Sequence, residues 1–101
     1  MLYIGVDLGT SSVKLLLMDA EGQIKSIVTR EYPLYFPKPG WSEQNPEDWY
    51  SAFVDGIKEL TKDCNKEEIE GISFSGQMHG MVILDENDRV IRPAIIWNDG
   101  R

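Results

Sequence analysis

The sequence predicts an α/β domain: a three-strand antiparallel meander, a crossover helix, and a fourth strand parallel to one of the first three. Three observations carry this reading. Short apolar segments at 2–8, 12–19 and 24–32 are separated by tight turns, the pattern of a meander. A helix-period stretch with a clear start signal opens at Asn45. An apolar strand follows at 69–75, and strand–helix–strand order implies a crossover that lays the last strand parallel.

Taken in order, Leu2 to Leu8 reads as a buried strand. Alternation puts Leu2, Ile4 and Val6 on one face and Tyr3, Gly5 and Asp7 on the other. Ser12 to Asp19 is its partner, with Val13, Leu15 and Leu17 sharing a face. Gly22 supplies the next turn, and Ile24 to Tyr32 is a more polar strand nearer the edge. Pro33 to Pro46 holds four of the five prolines together with Tyr35, Phe36 and Trp41. Flexible linkers seldom carry such aromatics, so this is an ordered loop, with Trp41 to Gln44 as its anchor. Asn45 caps a helix, Pro46 suits its first turn, and Glu47 and Asp48 suit its positive end. Trp49, Ala52, Phe53, Gly56, Ile57 and Leu60 recur on one face to about Lys62. After the strand at 69–75, the Gly76–Gly80 segment breaks the run. Met81 to Leu84 reads as a short strand, 85–88 as a turn, and Val90-Ile91 as a hairpin partner.

Composition excludes several classes. The 101 residues suit one small domain. At 42% hydrophobic and 27% charged, the chain reads as globular and soluble rather than disordered. The net charge of −7 argues against nucleic acid as a partner, because phosphate backbones are bound by Lys and Arg clusters, and against an anionic membrane surface. No apolar run is long enough to span a bilayer, and no secretory signal is visible. Cys64 stands alone, which fits a reducing compartment, and the cytoplasm is the expected location. No Cys/His cluster has zinc spacing.

Two constellations carry chemistry. The first is Asp7 with the turn Gly9-Thr10-Ser11-Ser12 and Lys14. The turn offers backbone N–H groups and three hydroxyls to one small volume, with Gly9 free to take angles other residues avoid. That volume suits phosphate oxygens, and Asp7 at its edge suits Mg²⁺. Taken alone, such a turn is more often only a hairpin than a phosphate site. The second is Gln77-Met78-His79-Gly80, where the fourth strand ends. If that strand parallels the first, Asp7 and His79 emerge on one edge, where α/β sheets gather ligands. His79, the sole histidine, can donate and accept hydrogen bonds to a polyhydroxylated ligand. Trp97-Asn98-Asp99 could add a stacking face and two polar groups. A structural histidine and a buried turn anchor are the alternatives.

Together with Pro39 to Trp49 and Trp97 to Arg101, these stretches resemble the N-terminal part of the FGGY family of carbohydrate kinases. The Gln-Met-His-Gly element resembles the branch that acts on D-xylulose. The resemblance implies a partial ribonuclease-H-like, actin-like ATPase domain, residues 1–101 being the first part of the first domain and the second domain being absent. It implies phosphoryl transfer from ATP to a sugar, most closely D-xylulose. Asp7, Gly9, Thr10, Ser11, Ser12 and Lys14 would serve Mg-ATP, with Asp7 the metal contact. Gln77, Met78, His79, Trp97, Asn98 and Asp99 would serve the sugar. The family's general base lies beyond these residues, so the isolated chain is expected to be inactive, and the full-length protein is expected to be a homodimer. The alternatives are a relative acting on L-ribulose, glycerol or gluconate, a piece of an actin-like or chaperone-like ATPase switch, and a folded domain that binds neither ligand.

Overall fold

The computed structural model describes residues 1–101. Its strands are β1 (Leu2–Leu8), β2 (Ser12–Asp19), β3 (Ile24–Glu31), β4 (Glu43–Gln44), β5 (Ile69–Gly76) and β6 (Ala94–Ile95). The single α-helix, α1 (Pro46–Leu60), is followed by one short 3₁₀ turn at Lys66–Glu68. The main sheet has the order β3-β2-β1-β5. β1 pairs antiparallel with β2 and parallel with β5, in the register Asp7↔Lys14 and Asp7↔Ser75. The predicted meander, crossover and parallel strand are therefore present.

The alternation read from the sequence sets the two faces. Ile4, Val6, Val13, Leu15, Leu17 and Val28 are buried beneath the helix with Tyr32 and Leu60. Tyr3, Gly5, Asp7, Lys14 and Leu16 take the opposite face, as strand periodicity requires. Asn45 caps α1 by accepting from the Glu47 N–H at 3.0 Å. The helix stops at Leu60, near the predicted end at about Lys62, where Thr61 leaves helical angles and its hydroxyl bonds back to the Ile57 carbonyl at 2.8 Å. Asn65 then caps the exposed 3₁₀ turn at Lys66–Glu68.

Three further readings change. The Pro-rich loop is ordered, as expected, but it also contributes β4, which pairs with β6 in a second, two-stranded sheet. Two-residue strands are too short to show a period, so neither was predicted. Met81 to Leu84 does not form a regular strand. It makes only isolated bridges, Met81 to Ile95 and Leu84 to Val90, around a turn in which Asp85 accepts from the Asn87 and Arg89 N–H groups. The third is at Gly9, which stays out of the left-handed region that Gly22 and Gly40 occupy. At Gly9 space is tight instead, since a Cβ there would lie 3.1 Å from the Ser12 carbonyl oxygen.

Gly56 fixes how closely the helix meets the sheet. A Cβ at this position would fall 2.6 Å from a Leu15 methyl group. Leu15 is wholly buried within the core cluster. Gly56→Ala gains about 1 kcal/mol of helix propensity but overpacks a closed core, a change that costs about 1–3 kcal/mol. The expected result is a net loss of stability of about 1 kcal/mol, read as a lower thermal midpoint. An unchanged or raised midpoint would show that the helix can lift off the sheet without penalty.

Candidate functional site

The site lies at the carboxyl ends of β1 and β5. Their parallel pairing brings the Gly9–Ser12 turn and the Gln77–Gly80 segment together, and the Gln77 N–H donates to the Leu8 carbonyl at 3.0 Å. Asp7 is exposed at this edge, where Ser75 Oγ donates to its Oδ1 at 3.3 Å. Asp7 faces Lys14 across the strands, yet the two make no ion pair. A groove of about 400 Å³ on this open face is lined by Gly5, Asp7, Lys14, Ser73 and Ser75 together with apolar neighbours.

The turn itself is held by Tyr32. Its hydroxyl donates toward the carbonyls of Gly9 and Ser12, the latter at 2.9 Å, and its N–H bonds the Ser11 carbonyl at 3.2 Å. The Gly9 N–H closes the turn onto the Ser12 carbonyl at 2.9 Å. The carbonyls therefore point into protein, while the Thr10 and Ser11 N–H groups have no protein acceptor. Burial, with the nearby charge of Asp7 as the lesser cause, pushes the Tyr32 phenol up to about 12.

The Thr10 hydroxyl does not face outward. It accepts from Trp97 Nε1 at 2.9 Å and donates to Gln77 Oε1 at 3.4 Å. Gln77 Nε2 in turn donates to Gln44 Oε1 at 2.9 Å. Thr10, Gln77 and Trp97 are thus brought into one network. Met78 is 73% exposed. His79 is exposed, sits at φ 60° in the left-handed region, and makes no side-chain hydrogen bond. Asn98 lines a separate hollow of about 510 Å³ against residues 36–42.

Asp99 is directed into the fold. Its carboxylate accepts from the Ser42 N–H at 2.6 Å and pairs with Arg101 at 2.6 Å. Arg101 beside it, followed by the Ser42 and Arg101 N–H groups, holds the Asp99 carboxyl well below the usual carboxylate range despite desolvation. Arg101 also reaches the buried Glu43 at 2.8 Å and stacks 3.7 Å over the Trp41 ring. Arg92 pairs with the same Glu43 oxygen. Glu43 is thus a buried charge with two cationic partners, which offset its desolvation.

Sequence reasoning missed Gln44 and Tyr32 as site-forming residues. Gln44 lay within a stretch read only as a loop anchor. Tyr32 lay at a strand end, where its partners, twenty or more residues away, leave no local signal.

The chain belongs to the FGGY family of carbohydrate kinases: residues 2–101 match that family's N-terminal domain. Over 100 residues it is 48% identical to the xylulose kinase of Bacillus subtilis, covering 97% of this chain and 20% of that protein. The Bacillus subtilis gluconokinase is 38% identical over 98 residues, covering 97% of this chain and 19% of that protein. Among solved structures, a xyloylose (xylulose) kinase from Brucella ovis superposes with a TM-score of 0.94 at 46% identity, covering 100% of this chain and 22% of that one. The chain thus spans about a fifth of the length of the curated relatives it matches. No helix is long and apolar enough to cross a membrane.

The Tyr32 phenol gives a pH prediction. Its value is raised on folding, so the folded state favours the protonated form. The stabilisation is complete below the ordinary tyrosine value near 10 and is lost as pH rises through about 12. The tyrosinate absorbance removed by Tyr32→Phe should therefore have its midpoint near 12 in the folded protein. A midpoint near 10 would mean that the hydroxyl is open to solvent and does not hold the turn.

Proposed function

We propose that these residues form the N-terminal segment of an ATP-dependent sugar kinase, and that the full-length protein converts D-xylulose to D-xylulose 5-phosphate. The observation that carries this reading is the meeting of Thr10 with Gln77 and Trp97. In this reading the Gly9–Ser12 turn takes phosphate, and the polar and aromatic edge that it touches suits a polyol. The relatives named xylulose kinase support the choice of sugar.

In the proposed reaction the sugar hydroxyl oxygen bonds to the γ-phosphorus of ATP. The bond from that phosphorus to the β–γ bridging oxygen breaks, and ADP leaves with the electron pair. The hydroxyl proton passes to a base outside residues 1–101. Such transfers depend mainly on positioning and charge stabilisation. The free Thr10 and Ser11 N–H groups, the Ser11 and Ser12 side chains and Lys14 fit phosphate oxygens. Gly9 allows the turn to be this tight. No group of three or more potential metal-ligating side chains is present. Asp7 alone fits Mg²⁺, which takes few protein ligands and completes its shell with phosphate oxygens and waters. When bound, Mg²⁺ would neutralise charge on the transferring phosphoryl group. Met78, His79 and the Trp97 face would line the sugar, with Gln77 behind them. Asp99 belongs to the sugar site in this reading through the loop it fixes, being tied to Ser42 and Arg101, and Asn98 through its place between Trp97 and Asp99.

The 38% identical gluconokinase keeps gluconate as a second substrate reading. The test is ADP release by the full-length protein with Mg-ATP and D-xylulose, L-ribulose, glycerol or gluconate, alongside the 101-residue chain. Turnover that requires D-xylulose is expected, with none from the short chain. ATP hydrolysis indifferent to every sugar would overturn the kinase reading. His79→Ala should raise the sugar KM about tenfold, roughly the worth of one hydrogen bond, and leave the ATP KM unchanged.

A further inference from the structure

We propose that Gln44 is a positioning residue that couples nucleotide binding to sugar binding, an inference that rests on the kinase reading above. Gln44 is fully buried at 0% exposure, and its carboxamide uses all of its hydrogen-bonding capacity. Nε2 donates to the Thr10 carbonyl at 2.5 Å and to the Pro33 carbonyl at 3.5 Å. Oε1 accepts from Trp49 Nε1 at 3.2 Å and from Gln77 Nε2 at 2.9 Å. Two donors and two acceptor sites are all a glutamine side chain has.

Two of these partners belong to different halves of the proposed site. Thr10 lies in the phosphate turn, and Gln77 begins the sugar-side segment. The Thr10 hydroxyl closes the path by donating to Gln77 Oε1, and Trp97 joins it by donating to that hydroxyl. The result is a ring that runs from the Thr10 side chain through Gln77 and Gln44 back to the Thr10 carbonyl. Every bond in the ring donates in the same sense, an arrangement in which each bond polarises the next. A sugar seated against Trp97 or the Gln77 segment would therefore settle the Thr10 turn before phosphates arrive. Phosphates on the turn would equally settle the sugar edge. Such coupling is reciprocal by linkage.

Trp49 and Pro33 anchor the ring to the helix and to the end of the meander. The ring is held against this frame, so ordering of one site is passed to the other instead of dissipating in the loop. The sequence neighbours of Gln44 add to this rigidity, since Glu43 is held by Arg92 and Arg101 and Ser42 by Asp99.

The experiment is calorimetric titration of ADP into the full-length protein with and without D-xylulose, repeated for Gln44→Met and Trp49→Phe. Gln44→Met keeps the length of the side chain and removes all four bonds. Trp49→Phe keeps the aromatic packing and removes only one anchor, so it carries the test if Gln44→Met does not fold. In the unaltered protein the sugar should tighten ADP binding at least fivefold, the lower end of ordinary coupling. That factor should fall toward one in Gln44→Met and drop partway in Trp49→Phe, with KM for both substrates rising more than kcat falls. A purely structural Gln44 would lower the thermal midpoint and leave the coupling factor unchanged, which would overturn the inference. An unaltered protein in which sugar and ADP bind independently would overturn it as well. Failure of the unaltered protein to bind or phosphorylate any of the four sugars would instead remove the kinase reading itself.

Discussion

The carboxamide of Gln44 is the one polar group placed where the meander, the Pro-rich loop, the helix and the end of β5 all meet. Leaving any of its partners unpaired in that interior would cost about 1–3 kcal/mol, a large fraction of a small domain's stability. All four are paired, so the orientation of the amide is fixed by its surroundings. Much of the rest follows from that point. The turn at Thr10 cannot drift from the meander's end at Pro33, and the Gln77 segment cannot drift from the turn.

A second polar assembly does comparable work a few residues away. Glu43 is buried with two arginines on one oxygen, and Asp99 closes onto Ser42 and Arg101. Isolated surface ion pairs contribute little, but these acids are enclosed, and removing a partner would leave a charge without water. The pairs bring residues 92–101 against residues 41–44. This is also why β4 and β6 exist at all. Strands of two residues have almost no intrinsic preference to pair, and the side-chain ties on either side hold them in register.

The open face of the sheet is built differently. Asp7, Lys14, Ser73 and Ser75 surround a groove in which the two charges stay apart, and only one serine touches the acid. Along β5 and just after it, large apolar side chains remain exposed: Ile72 and Phe74 on the helix side of the sheet, where Phe74 meets Phe53, and Met78 past the strand end. The extensively paired part of the molecule thus lies behind the edge of the site, where only the buried Ser42 Oγ has no partner, and the unpaired polar groups of the groove lie in front of it. The groups in front thereby keep their bonding capacity, as the proposed kinase reading requires.

Local pattern was enough to determine the meander, the helix start at Asn45, the helical face and the parallel placement of β5. Each rests on periods of two or 3.6 residues and on capping chemistry that acts within a few positions. The same reading found the two constellations at Asp7–Lys14 and Gln77–Gly80, because each follows an apolar strand and a break. Only the folded chain decided how they are joined. The bonds from Thr10 to Gln77 and to Trp97 span 67 and 87 residues, and those from Gln44 to Thr10 and Gln77 span 34 and 33. No periodicity records such pairings. They form because a buried amide, hydroxyl or carboxylate must find a partner, and the partner is whichever group the packing of distant segments brings within about 3 Å.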